Sequence, residues 1–321
     1  MPPFKTVALF GANGQIGSHI LHALLHSSEQ SFNIIAFVSP GKGSKLPQAP
    51  NLRVQEFDAA NIKKDELTAA LKGVEVVVSA LNGQALSSQV GIQDAALDAG
   101  VKRFYPSEYG FHQVYQRPGD EAGYLHPKWN QKEKSNDAVL HHEAITSGQM
   151  SYTLIGCGDF YNQDREPIWC PWTQTNIDSY TFHIIGDPNA KAEFTHLDDF
   201  ATYLIATLLE PEKSENAILN FPSDFISHED IARLLEKYSE KPVKREVISL
   251  EEMHRVVADP IQAPKELQSG SPFPVDFWFL VKGMQGQGKF FRPRGQTHNH
   301  LFPHVPKTTF ERYFRKKFAV G

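Results

Sequence analysis

The sequence predicts an α/β fold built on a doubly wound parallel sheet. Three observations carry that prediction. Short apolar runs alternate with amphipathic stretches of about ten residues, the pattern of βαβ units. A glycine-rich turn, Gly11 to Gly17, lies where the first run meets the first helix. The fourth run, Val74 to Ala80, is rich in β-branched residues, as a strand covered on both faces should be.

The elements follow in order. Val7 to Phe10 is the first strand, and Ile16 to Leu25 carries apolar residues at positions 16, 20, 21, 24 and 25, which is helical spacing. Ile34 to Val38 is the second strand and ends at Ser39-Pro40. Leu52 to Phe57 is the third, followed by an amphipathic stretch from Asp65 to Leu71. After the fourth strand come a helix from Gln89 to Ala99 and a fifth strand, Arg103 to Tyr105. Phe111 to Pro127 is a polar loop too long to be a mere connector, so a functional loop is expected. One helix is then expected to run to about Thr146, before a sixth strand, Tyr152 to Ile155. Leu197 to Leu209 reads as a buried helix. Ser227 with Asp230, and Ser249 with Glu252, have the form of capping boxes that open two more. The C-terminal stretch mixes Pro, Phe, Gly and His without a clear period. The expected division is a cofactor-binding domain over residues 1–155 and a smaller, discontinuous substrate region over 156–321. Segments near 185–220 return to the sheet.

Composition narrows the function. The chain has 321 residues, with 32 Lys and Arg against 37 Asp and Glu, a net charge of −5. That balance argues against nucleic acid or an anionic membrane as the main partner. No apolar run reaches the roughly 18 residues of a membrane span. Two cysteines, Cys157 and Cys170, do not make a disulfide framework and fit a reducing compartment. A cytoplasmic protein, monomeric or homodimeric, is expected.

Gly11-Ala-Asn-Gly-Gln-Ile-Gly17 carries the chemistry. The first glycine permits the tight turn, the second lets backbone approach a pyrophosphate, and the third lets helix pack on strand. The exposed N–H groups and positive helix end then receive phosphate. Gly11, Asn13, Gly14, Gln15, Ile16 and Gly17 are therefore cofactor-binding candidates. The second strand ends without the carboxylate that would hold a ribose 2′-hydroxyl. Ser39, Lys42 and Lys45 stand there instead, within reach of a 2′-phosphate, so NADPH is the expected cofactor. Asp58 is placed to bound the adenine end. Ser107 and Tyr109 lie at the carboxyl end of the fifth strand, where ligands bind in open α/β sheets.

Four segments together resemble the isoflavone reductase-like branch of the NmrA-like, atypical short-chain dehydrogenase/reductase family. They are the glycine turn and the stretch from Gln89 through Lys102-Arg103-Phe104 to Pro106-Ser107-Glu108-Tyr109-Gly110. The others are Ile185-Gly-Asp-Pro-Asn through Asp198-Asp199, and Asn220-Phe-Pro-Ser-Asp-Phe-Ile-Ser227. The resemblance spans nearly the whole chain. It implies a Rossmann domain binding NADPH and reduction of a phenolic or ketone-bearing small molecule. Some NmrA-like relatives only sense the cofactor, which is the competing expectation. The backbone of Ala80, Leu81, Asn82 and Gly83 should pass beneath the cofactor. Where family reductases often have Arg, this chain has Ser39.

The resemblance also places a proton-transferring lysine on the helix after the Pro-Ser-Glu loop. Burial and a cationic neighbour can bring a lysine towards neutrality, which suits it for that work. Lys128, Lys132 and Lys134 compete, and Tyr124 to Lys128 has the spacing of ordinary short-chain dehydrogenases. In that family the lysine precedes an inward-facing Ile by two helical turns, and the resemblance makes Ile145 that anchor here. Lys134 lies almost three turns before it on the same face, and Lys132 opposes it. Lys134 is therefore the expected catalytic residue, with a place beside the cofactor as well. Phe160 should reach the nicotinamide. Tyr161, Trp169 and Trp172, with Tyr109, should bind a flat aromatic substrate. His298, His300 and His304 lack the spacing and carboxylate of a zinc site, so no metal is expected.

Overall fold

The computed structural model describes residues 1–110, 127–164, 167–269, 271 and 273–319. Its first half alternates strand and helix except between β2 and β3, which only a short 3-10 turn separates: β1 (Thr6–Phe10), α1 (Gln15–Leu25), β2 (Asn33–Val38), β3 (Leu52–Glu56), α2 (Lys64–Ala70), β4 (Val76–Ser79), α3 (Gln89–Asp98) and β5 (Arg103–Tyr105). Then come α4 (Pro127–Leu140), α5 (Glu143–Thr146), β6 (Ser151–Gly156), β7 (Asp159–Phe160), β8 (Tyr180–Ile185) and β9 (Lys191–Thr195). The remainder is α6 (Leu197–Leu209), β10 (Ala217–Asn220), β11 (Asp224–Ser227), α7 (His228–Ser239), β12 (Val243–Ile248), α8 (Leu250–Ala258), α9 (Val275–Gly286) and α10 (Phe310–Phe318).

Seven strands form one sheet in the order β10-β6-β5-β4-β1-β2-β3, with every pairing parallel. The alternation of strand side chains decides which layer each residue joins. Val7 and Leu9 of β1 pack with α1 and α6 on one face, whereas Ala8 and Phe10 join the cluster on the other. Val76 and Val78 take the first face and Val77 the second, which explains why β4 is apolar on both sides.

The second lobe has its own core. A three-stranded sheet, β11-β9-β7, and a two-stranded pair, β12-β8, pack with α7 to α10 around Trp172, Phe182, Phe194, Trp278, Phe310 and Phe314. The chain crosses back in between: α6 packs on α1 and β10 pairs with β6, while β8 and β9 stay in the second lobe.

Two elements differ from expectation. The helix expected to reach Thr146 stops at Leu140, and a new turn starts at Glu143. His142 caps that turn, with Nδ1 accepting from Ala144 N at 3.1 Å, while Nε2 pairs with Asp94 at 3.0 Å. The C-terminal stretch that shows no period contains α9 and α10. α9 is buried from Trp278 to Gly286, so an amphipathic period has nothing to mark.

Candidate active site

The glycine turn joins β1 to α1 with little room to spare. Gly11 has φ of +77°, and a Cβ there would lie 2.6 Å from the Ala80 carbonyl oxygen. A Cβ at Gly17 would lie 2.1 Å from the carbonyl oxygen of Gly11. Gly14 is the N-cap of α1 with no side-chain hydrogen bond at the cap, so the first N–H groups of the helix keep no side-chain acceptor. This is the cradle that a dinucleotide pyrophosphate needs, and side chains would fill it.

Gly14, Gln15 and Ile16 line a cavity of about 340 Å³. Ala80, Leu81 and Asn82 line it from the end of β4, and Ser107, Glu108 and Tyr109 from the end of β5. Hydrogen bonds lock that rim. Gln89, buried at the start of α3, accepts from Ser107 N at 2.7 Å and donates to Ser135 Oγ at 2.6 Å. Ser107 Oγ donates to the Leu81 carbonyl at 2.6 Å, and Gln131 Nε2 to the Gly83 carbonyl at 2.7 Å. Asn136 donates to the buried carboxylate of Glu108. Glu108 is thus a structural acceptor. Tyr109 holds a left-handed φ of 51°, and burial pushes its phenol well up.

The lysine assignment changes. Lys134 is exposed and does not line the cavity; Lys132 and Lys128 do. Lys132 Nζ donates to the Glu108 carbonyl at 2.6 Å. The reason is register. Because α4 ends at Leu140, Ile145 belongs to another turn and cannot set the face. The inward stripe instead runs through 128, 131, 132 and 135 to Val139, which is wholly buried. Lys132 lies two turns before Val139, and Lys134 projects from the far side. Tyr124 lies outside the described residues.

The aromatic expectations divide. Phe160 and Trp169 line the cavity, joined by Phe273, Phe277, Val281 and Phe290 from the C-terminal part of the chain. Tyr161 and Trp172 do not. Tyr161 stacks on Phe310 at 4.1 Å and donates to the Thr308 carbonyl; Trp172 Nε1 donates to the Tyr161 carbonyl at 2.7 Å. Both are core residues, because their polar tips find backbone partners inside the second lobe.

Beside the glycine turn a second cavity, also about 340 Å³, is lined by Phe37, Phe57, Asp58, Ile62 and Glu56. Asp58 closes a local turn, and its bond from Asn61 holds its carboxyl below the usual range. Ser39, Lys42 and Lys45 are exposed on the adjoining loop, and Asn13 and Gly83 flank the cavities without lining them. Glu56 is a carboxylate that the end of β2 does not reveal. β3 pairs it with Val38, and it accepts from Gly41 N at 2.7 Å. His298 Nδ1 accepts from Asn220 N at 3.0 Å, which gives that histidine a structural use. Burial raises the Cys157 thiol, so it is no nucleophile.

The model of the NmrA-like family matches residues 3–272. The chain belongs to the NmrA-like family. Within it, the chain is similar to isoflavone reductase-like proteins among the curated relatives. It is 26% identical to phenylcoumaran benzylic ether reductase PT1 of Pinus taeda, covering 96% of each chain. It is 25% identical to isoflavone reductase homolog IRL of Zea mays, covering 97% of each. Among solved structures, AtPrR2 with NADP+ and (+)pinoresinol superposes with a TM-score of 0.72 at 20% identity, over 98% of this chain and 99% of that one. A ternary complex of leucoanthocyanidin reductase from Vitis vinifera reaches 0.73 at 18% identity, with the same coverage. These likenesses bear out the Rossmann-type fold with a C-terminal region. Among the described residues, no helix is long and apolar enough to cross a membrane.

Proposed function

We propose that this NmrA-like chain is an NADPH-dependent reductase of a small phenolic or ketone-bearing molecule. One observation carries the reading: the glycine turn, a lysine ammonium and an aromatic wall from the second lobe all face one cavity. A sensor needs the first of these; a reductase needs all three. The names of the curated relatives, reductases of phenylcoumaran and isoflavone type, support the same class.

The residues fit the cofactor. Gly14, Gln15 and Ile16 would receive its pyrophosphate, Ser39, Lys42 and Lys45 its 2′-phosphate, and the second cavity with Asp58 its adenine. The backbone from Ala80 to Gly83, with Ser107 and Phe160, would bound the nicotinamide end. When bound, the cofactor supplies a hydride from nicotinamide C4. The chain supplies the rest. Lys132 carries three N–H donors, of which Glu108 takes one, so two remain for a substrate oxygen that gains or loses a proton. Trp169, Phe273 and Phe277 exclude water and hold a flat ring. The N-terminal lobe, completed by α6 and β10, serves the cofactor and the second lobe the substrate. Two buried cysteine thiols, Cys157 and Cys170, suit a reducing compartment such as the cytoplasm.

The test is NADPH consumption against a panel of phenolic and quinone-like compounds. Saturable oxidation with at least one supports the reductase. Tight NADPH binding with no turnover on any of them overturns it in favour of a sensor.

A further inference from the structure

The aromatic wall of the main cavity contains one built-in ion pair. Asp159, which lines the cavity, accepts from Lys282 Nζ at 2.7 Å and from Gln285 Nε2 at 2.8 Å. The two charged side chains are only 9% and 5% exposed. They lie 123 residues apart in sequence and are brought together by β7 and α9. Lys282 also sits 5.1 Å above the ring of Trp169, and Trp169, Phe273 and Phe277 contact one another with centroids 5.8 to 6.1 Å apart. The carboxylate is therefore fixed at the edge of the surface that would grip a ring. Both donors take the same oxygen, Oδ2; among the described residues none donates to Oδ1.

A fixed carboxylate whose second oxygen is unspent and open to the cavity is a charged acceptor for a ligand donor, stronger than a neutral one. Lys282 makes the pair neutral overall, so a cationic donor gains little there, and an anionic ligand meets the carboxylate. A neutral hydroxyl suits it best. We infer that Asp159 is a specificity residue that accepts a hydrogen bond from a free phenolic hydroxyl of the bound ring, discriminating against the corresponding methyl ether. The inference rests on the reductase reading for the identity of the cavity, and it narrows the substrate class to phenols that keep at least one hydroxyl free. Asp159 takes no part in proton transfer here; it holds the ring.

Binding rather than turnover tests this. The full chain saturated with NADP+ is titrated by calorimetry with 4-propylphenol and with 4-propylanisole, probes that differ only by the methyl on oxygen. A preference for the phenol of about ten-fold or more is expected, the size of a hydrogen bond to a charged group. Asp159→Asn should bring the two affinities within about two-fold, mainly by weakening the phenol. Because that variant leaves Lys282 without its counter-charge, the double variant Asp159→Asn with Lys282→Met, which removes both charges, provides a second measurement and should show the same loss of preference. Equal binding of the two probes by the parent protein, a preference that survives in both variants, or no binding of either probe overturns the inference. Failure of the reductase reading looks different: phenol preference that depends on Asp159, without NADPH consumption by any compound.

Discussion

Lys132 Nζ reaches the backbone carbonyl of Glu108 across 2.6 Å. That bond pins an ammonium from α4 against the carboxyl end of β5, where an open parallel sheet presents its ligands. Glu108 is itself held by Asn136 one turn further along the same helix, so strand end and helix form one unit. The cofactor cradle and the aromatic wall meet at this unit.

The glycine turn makes a graded prediction. Gly17→Ala sets a Cβ 2.1 Å from a backbone oxygen that cannot swing away, whereas the same change at Gly14 meets Gly11 O at 3.1 Å. Gly17→Ala should therefore destabilise the protein by about 1–3 kcal/mol, the usual cost of overpacking. Gly14→Ala should spare stability and weaken NADPH binding, since its Cβ projects where phosphate approaches. Thermal unfolding and a cofactor titration on both variants separate the two effects.

Cofactor preference turns on opposing charges around one loop. Lys42 and Lys45 stand exposed after β2, and Glu56, which lines the second cavity, accepts from Gly41 N on the same loop. Replacing both lysines by Ala should weaken NADPH by about 1–3 kcal/mol and leave NADH unchanged. Glu56→Gln should act in the opposite sense and tighten NADPH relative to NADH. Equal affinities of the parent protein for the two cofactors would refute the assignment.

His228 makes stability depend on pH. Burial, reinforced by the nearby Lys282 charge, lowers its imidazole from 6.5 to about 3. The unfolded chain therefore binds the extra proton first. The contribution of this group is complete above about pH 6.5 and is lost as pH falls towards 3, with a slope of up to about 1.4 kcal/mol per pH unit. His228→Gln should flatten that slope between about pH 6.5 and 5, measured by urea unfolding.

Arg292 and Glu193 form a buried pair at 2.5 Å, with side chains 0% and 5% exposed. Arg292 also donates to the carbonyls of Cys157 and Gly110, so it ties the C-terminal segment to the rim of the cavity. Arg292→Met should cost about 3–5 kcal/mol, because Glu193 would stay buried without its counter-charge. Adding Glu193→Gln should recover part of the loss, and a double-mutant cycle by urea unfolding measures it.

Much of this architecture was legible in the chain because parallel strands announce themselves. Val76 to Val78 face two cores, and β-branched apolar residues suit a strand that packs on both faces. The capping serines at 227 and 249 mark α7 and α8 because their hydroxyls accept from Asp230 N and Glu252 N, a local interaction that sequence carries whole. The glycine turn is equally local. What stayed hidden depends on distant pairing. α9 carries Gly283 and Gly286, which read as helix breakers; they are there because Met253 and the Ile185 carbonyl press against them. Phe277 and Val281 of the cavity wall were hidden with it. The break at His141-His142 is equally silent in sequence, since it needs Asp94 to hold His142, and missing it shifts the inward face of α4 from Lys132 to Lys134. Asp159 carries no signal until α9 brings Lys282 beside it.

The measurement that bears most directly on the account compares Lys132→Met and Lys134→Met in steady-state NADPH oxidation with whichever phenolic compound the panel yields. Met keeps the aliphatic stem and helix propensity, so both variants should fold and bind NADPH within a few-fold of the parent. Lys132→Met should lose about 10²–10⁴ in kcat, the contribution of a positioned acid or base. Lys134→Met, on the solvent face, should stay within about two-fold of the parent, as surface substitutions do. Normal turnover by Lys132→Met, or loss of turnover by Lys134→Met alone, would contradict the site described above.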